Sequence, residues 1–121
     1  MNKTQISKQY DLEERTFKFA EECRNFVSQL PKSIANFEYS KQLVRSSGSQ
    51  AANYIEANES LSKKDFCHRV KICRKEAKES RLWLRLLLDR EDERLIEIKN
   101  KLIQEATELV KIFSAIFEKS K

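Results

Sequence analysis

The chain has 121 residues, with 24 Lys+Arg against 19 Asp+Glu, a formal net charge of +5, and one residue each of Gly, Pro and His. A single Gly and a single Pro cannot supply the turns of a sheet protein, a dinucleotide-binding unit or a phosphate loop. One His removes most metal and triad chemistry. What remains is one domain of long, seldom interrupted helices, with 40% hydrophobic residues for a core and 36% charged residues for its surface.

The opening residues, Met1 to Ser7, lack the apolar stretch of a signal peptide. The run Leu86-Leu87-Leu88 is far shorter than the roughly 20 apolar residues that span a bilayer. Cys23, Cys67 and Cys73 are odd in number and fall in no zinc spacing. Cys23 and Cys73 read as small buried hydrophobes. A reduced, cytoplasmic protein without a membrane partner is the expectation.

Four helices follow in chain order, at about 11–30, 36–58, 62–89 and 92–118, within a single domain over residues 1–121. In the first, Asp11 three residues before Glu14 has the capping-box spacing. Leu12, Thr16, Phe19, Cys23, Phe26 and Leu30 then recur at steps of four and three, and Pro31 ends the pattern.

The second helix begins between Ser33 and Tyr39. Its apolar and small residues at Ile34, Phe37, Val44, Gly48, Ala51 and Ile55 are expected to form the core seam. Gly48 suggests a neighbouring helix approaching closely, since an internal Gly costs about 1 kcal/mol of helix propensity. A turn at Gly48, splitting the helix, is the alternative.

In the third helix Ser62 is the expected N-cap and Asp65 reaches back. Its seam runs through Phe66, Val70, Cys73, Ala77, Ser80, Leu84 and Leu87, widened by Ile72, Trp83 and Leu86. The fourth helix opens on Glu91-Asp92-Glu93, acids suited to a helix N-terminus. Two adjacent columns follow, Leu95, Leu102, Leu109, Ile116 and Ile96, Ile103, Val110, Phe117, broadened by Ile98 and Ile112. So wide a face suits burial between two helices of one bundle or partly against another subunit, and it leans towards an oligomer. Short connections make an antiparallel up-down four-helix bundle.

Residues 61–90 hold ten Lys/Arg and four acids, so this segment is +6 and the other 91 residues sum to −1. Lys64, Lys71, Arg74, Lys78, Arg81 and Arg85 lie at helical steps in one row roughly 30 Å long. Like charges four apart oppose helix formation by a few tenths of a kcal/mol per pair. A row that accepts this cost suits contact with phosphates. A solvated face, or one paired with acids of a neighbouring helix or subunit, is the alternative. With no aromatic side chain in the row to stack bases, binding would follow the RNA or DNA backbone and not base sequence.

Arg45, Ser49, Asn53 and Glu56 share one face of the second helix, and Glu76 and Glu79 flank the seam of the third. Together they suggest a polar network that fixes helix register, with a buried Arg45 held by one of the two carboxylates. A di-metal carboxylate site would need two Glu-x-x-His pairs. His68 has Asp65 three residues before it, and there is no second His. No catalytic residue, metal-ligand set or cofactor is therefore expected, and the chain reads as no enzyme.

The sequence resembles the bacterial family called four helix bundle proteins. That family includes proteins encoded in intervening sequences of 23S ribosomal RNA genes and the accessory variability determinant of diversity-generating retroelements. The resemblance covers nearly the whole chain. It is carried by Ser40-Lys41-Gln42-Leu43-Val44-Arg45-Ser46 with Ser49, Ala52-Asn53 and Glu56-Ala57, and by Ser62-Lys63-Lys64-Asp65-Phe66. It continues in Lys75-Glu76-Ala77-Lys78-Glu79-Ser80 with Trp83-Leu84-Arg85-Leu86-Leu87, and in Glu108-Leu109-Val110-Lys111-Ile112. By position, Arg45, Asn53, Glu56, Glu76 and Glu79 match the polar pattern of the family's second and third helices.

The resemblance implies a homopentameric ring of bundles and, in the retroelement branch, a basic surface that binds nucleic acid and a reverse transcriptase. Gln50 departs from the usual Ile, Ile55 from a frequent Glu, and Ser47-Gly48 from the usual Gly-Thr. The function expected is that of a non-enzymatic oligomer associated with a 23S rRNA intervening sequence, binding nucleic acid through its basic helix. The alternative is an adaptor whose basic face docks an acidic protein and binds no nucleic acid.

Overall fold

A computed structural model describes the backbone of residues 3–121 and the side-chain surroundings from Leu12 onward. It consists of four helices and, among the described residues, no strand: α1 (Lys3–Val27), α2 (Ile34–Asn58), α3 (Lys63–Leu86) and α4 (Glu93–Ser120). α1 starts eight residues before the expected cap at Asp11, whose side chain lies outside the described residues. At its other end the chain leaves the helix at Val27. Gln29 and Leu30 donate back to the carbonyls of Phe26 and Val27 in a turn before Pro31. The other N-termini are capped by side-chain oxygens. Ser33 accepts from the Asn36 N–H at 3.0 Å, Ser62 from Asp65 at 3.1 Å and Asp92 from Leu95 at 3.1 Å.

The helices pack α1 on α2, α2 on α3, α3 on α4, and α4 back on α1. Pairings between α2 and α3 descend in register, Tyr39 with Trp83, Ser46 with Ser80 and Asn53 with Arg69, so the two run antiparallel. Lys99 against Leu87 and Arg74 against Phe117 give the same sense for α3 and α4. Along α1 the expected seam is the buried one: Leu12, Thr16, Phe19, Cys23 and Phe26 face the core, with Leu30 partly buried. The α3 seam from Val70 to Leu87 is buried likewise.

The α2 seam is the reverse of the expectation. Ile34 is 87% exposed and Phe37 64%, and Val44 and Ile55 also stand in solvent. α2 turns inward Asn36, Leu43, Ser46, Ser47, Gln50, Tyr54 and Ala57 instead. The reason is spacing. Between α1 and α3 short side chains let the backbones approach, and their hydroxyls are satisfied: Ser46 Oγ meets Ser80 Oγ at 2.8 Å and both α2 serines reach carbonyls one turn back. Gly48 lies within the continuous helix, so α2 is not split, and nothing would lie within 4 Å of a Cβ added to it. Among the described residues no neighbouring helix comes within 4 Å of that point.

The α4 expectation also changes. Its flanking residues Ile98, Ile103, Val110, Ile112, Ile116 and Phe117 pack on the core between α3 and α1. Most of that face is therefore at least partly buried within one bundle, and Ile96, the first residue of the second column, lies outside this cluster. Exposed large apolar side chains lie instead on α2 (Ile34, Phe37, Val44, Ile55) and at the C-terminal end of α3 (Leu82, Leu86 and, just beyond it, Leu88), with Phe17 on α1 and Leu61 before α3.

The α3–α4 connection is fixed by Asn36, which is buried. Its Nδ2 donates to the carbonyls of Pro31 at 2.8 Å and Leu88 at 2.9 Å, and its Oδ1 accepts from the Leu88 N–H at 2.8 Å. Lys99 Nζ binds the Leu87 carbonyl at 2.7 Å and Asp89 at 3.4 Å. With no Gly available, Arg90 and Glu91 adopt φ of 53° and 63° to turn the chain, left-handed conformations that cost a side-chain-bearing residue about 1 kcal/mol each.

Candidate nucleic-acid interface

α3 begins at the Ser62 cap, carries its apolar residues on one side, and so presents its cations on the other. The six residues of the expected row divide by environment. Lys64, Lys71, Lys78 and Arg85 are exposed, seven residues apart, on the outward line of the helix. Arg74 and Arg81 are half-buried on the side towards α4, and the Arg74 guanidinium lies 5.0 Å from the centre of the Phe117 ring. That stacking holds its charge at the surface over an apolar support. None of the six makes an ion pair among the described residues, whereas neighbouring Lys75 pairs with Glu79 at 3.9 Å.

His68, Lys71, Arg74, Lys75 and Lys78 line one depression together with Ile72 and a single acid, Glu79. Sequence reasoning left out His68 and Lys75, treating the first only as a metal ligand. The signal was available, since His68 is four residues from Lys64 and three from Lys71. Lys71, Arg74 and Lys78, which make no ion pair among the described residues, give this surface a cationic character that suits a polyanion.

The polar residues of α2 and α3 form two clusters. Arg45 Nη1 lies 3.4 Å from Glu76 Oε2 and its Nη2 3.5 Å from Glu79 Oε1, so one guanidinium bridges both carboxylates. The buried member is Glu76, whose side chain is 5% exposed, and not Arg45, at 55%. This corrects the expectation of a buried guanidinium: the long Arg stem carries its charge to the surface and meets the carboxylate there. Farther along, Asn53 donates to the Ser49 carbonyl at 2.9 Å and its Oδ1 accepts from Arg69 at 2.9 Å. Arg69 was missing from the sequence-level set. Glu56 is exposed and joins neither cluster among the described residues.

Inside the bundle Gln50 is fully buried, and neither its Oε1 nor its Nε2 has a hydrogen-bond partner among the described residues. Cys73 approaches the Gln50 carbonyl at 3.5 Å. Burial pushes the Cys73 thiol up to about 12 and raises that of Cys23 as well. Both are inert packing residues at neutral pH. No described helix is long and apolar enough to cross a membrane.

These features define an all-α four-helix bundle with a cationic face confined to one helix. The sequence pattern of the family described as 23S rRNA-intervening sequence protein matches residues 8–115, and the chain belongs to that family. It is also similar in structure to a protein of unknown function from the S23 ribosomal protein family of Bacteroides thetaiotaomicron VPI-5482. The TM-score is 0.71 at 29% identity, over 87% of this chain and 96% of that one. No functionally curated protein matches it.

Proposed function

We propose that this is a non-enzymatic, cytoplasmic, homo-oligomeric protein that binds RNA through the outward face of α3, contacting phosphates and not base edges. The observation that carries the reading is that Lys64, Lys71, Arg74, Lys78, Arg81 and Arg85 make no ion pair among the described residues. Acids of α3 and α4 find partners elsewhere: Glu76 and Glu79 with Arg45, and Glu105 and Glu108 with Arg15. A purely solvated helix face tolerates alternating charge, whereas six cations with no internal partner leave a field that attracts a polyanion. Membership of the rRNA intervening-sequence family makes RNA the polyanion of choice. The assembly proposed is the five-membered ring that the family resemblance implies, which multiplies weak contacts by avidity.

Fluorescence anisotropy with a labelled ribosomal RNA fragment tests this. Sequence-tolerant binding in the micromolar range or weaker is expected at physiological salt. Lys64→Gln, Lys71→Gln, Lys78→Gln and Arg85→Gln together should abolish it with the helical content unchanged. Undiminished binding by that variant, or binding of an acidic protein but no RNA by the unaltered chain, would overturn the reading.

A further inference from the structure

A groove of about 1020 Å³ runs between the end of α1 and the first turns of α2, and it shares no residue with the cationic row of α3. Its apolar lining comes from Val27 and Leu30 before α2 and from Ile34, Phe37 and Val44 on α2. The three α2 side chains lie outside the core: Ile34 is 87% exposed, Phe37 64% and Val44 44%. The backbone beneath them is fixed. Ser33 caps α2 by accepting from the Asn36 N–H, and the Asn36 side chain donates to the Pro31 carbonyl at 2.8 Å. A groove formed in advance loses little to ordering when an occupant enters.

The shape selects the kind of occupant. A small molecule needs a site that buries most of its surface, and a lining this exposed does not provide one. Ile34, Phe37, Lys41 and Val44 follow at steps of three, four and three along one line of α2, roughly 15 Å long. An amphipathic helix of another chain presents its apolar anchors over that length and with that rhythm.

The charge selects its sign. The rim carries Lys32, Lys41 and Arg45 against one acid, Glu38. Lys32 makes no ion pair among the described residues. Lys41 Nζ stands 4.9 Å from the centre of the Phe37 ring, which keeps its charge beside the apolar lining. Its contact with Glu38, 3.5 Å between two exposed groups, is of the weak surface kind. Arg45 is held by Glu76 and Glu79, so Lys32 and Lys41 are the two cations open to a partner. A second copy of this chain does not complement them. Groove against groove sets Lys32 and Lys41 against themselves, and the exposed Leu82 and Leu86 of α3 are flanked by Lys78 and Arg85. A bare phosphate backbone would leave the apolar lining uncovered.

We propose that this groove docks an acidic amphipathic helix of a different protein. Its apolar anchors cover Phe37 and Val44, and its carboxylates meet Lys32 and Lys41. The proposal does not depend on the RNA reading, because the two surfaces have no residue in common. With both engaged, the protein links an RNA to an acidic protein partner.

The probe is a fluorescein-labelled peptide of about 14 residues, with Leu at i, i+3 and i+7 and Glu at the flanking positions. A hydrocarbon staple on its outward side keeps it helical. Fluorescence anisotropy with the full chain should show saturable binding, with a dissociation constant on the order of 100 µM at low salt. The same peptide with Lys in place of each Glu should bind about tenfold more weakly. Phe37→Asp with Val44→Asp should abolish binding, and since both positions are exposed, circular dichroism should show unchanged helicity. Lys32→Glu with Lys41→Glu should reverse the preference, so that the Lys peptide binds the better of the two. Absence of binding up to about 1 mM overturns the proposal. So does equal binding of the two peptides, or binding undiminished by the Phe37 and Val44 changes. Weakening by Lys71→Gln with Lys78→Gln would place the peptide on α3 and overturn it as well. Light scattering adds one more check: a smaller mass for the Phe37 and Val44 variant than for the unaltered chain would assign the groove to a second copy and refute a foreign partner. None of these readouts contains RNA, so a failure of RNA binding would remove the proposed function alone.

Discussion

Asn36 ties two connections together, and its removal gives the most quantitative check on the fold. Asn36→Ala removes one acceptor and one donor, leaving the Leu88 N–H and the carbonyls of Pro31 and Leu88 without partners, at distances now of 2.8, 2.8 and 2.9 Å. Each unmade hydrogen bond costs about 1–3 kcal/mol where burial is complete. The two connections are partly open to solvent, so water recovers part of this, and a net loss of about 2–4 kcal/mol is expected. A domain of 121 residues unfolds with an entropy near 0.25 kcal/mol/K, so the melting temperature should fall by about 8–16 °C. Urea unfolding followed by circular dichroism, at one protein concentration because assembly shifts apparent stability, reads the free energy directly. Asn36→Asp keeps the acceptor for the Leu88 N–H and should lose less at neutral pH. A loss below about 0.5 kcal/mol for the Ala variant, the scale of an ordinary surface substitution, would refute the assignment of Asn36 as the clamp.

Four further outcomes follow from particular residues. Gln50→Leu should raise stability by about 1–3 kcal/mol in urea unfolding, because both polar atoms of the buried Gln50 side chain lack partners. Gly48→Ala should raise it by about 1 kcal/mol in the same assay, because a Cβ there meets open space among the described residues. Iodoacetamide at mild alkaline pH should label half-exposed Cys67 and spare Cys23 and Cys73 until the chain is unfolded, a pattern read by mass spectrometry. Asp89 is held below the usual carboxylate range by the Glu91 N–H and by Lys99. Its contribution is complete above the unfolded value near 3.9 and is lost as pH falls through the lower folded value. The destabilisation caused by Asp89→Asn should therefore be present at pH 6 and vanish in acid, as followed by thermal melts.

The α1 and α3 seams were legible because each helix confines its large apolar residues to one side, leaving a period of 3.6 with a single reading. In α2 the same reasoning chose the wrong side. Its core face sets Asn36, Ser46, Ser47 and Gln50, residues that periodicity assigns to solvent, among Leu43, Tyr54 and Ala57, and its outward face holds Ile34, Phe37 and Val44. Burial there is decided by how closely two other helices approach, which no local pattern encodes. Asn36 was unreadable for a related reason: its partner Leu88 is 52 residues away. The pairing of Arg45 with the α3 carboxylates could be foreseen from complementary charges on facing helices, but which of the partners is buried could not. The cationic row was visible by arithmetic. That it pairs with no acid among the described residues depends on where Arg15 and Arg45 place the acids of α3 and α4.

The central claim is that α3 holds RNA by phosphate contact, and its salt dependence tests that most directly. For each phosphate neutralised, the logarithm of the binding constant should fall with the logarithm of salt concentration by about 0.7–0.9. Replacing Lys64 and Lys71 with Gln should therefore flatten the slope by about 1.4–1.8 for every bound protomer, across RNA fragments of unrelated sequence. An unchanged slope, or weakening confined to one RNA sequence, would contradict the account.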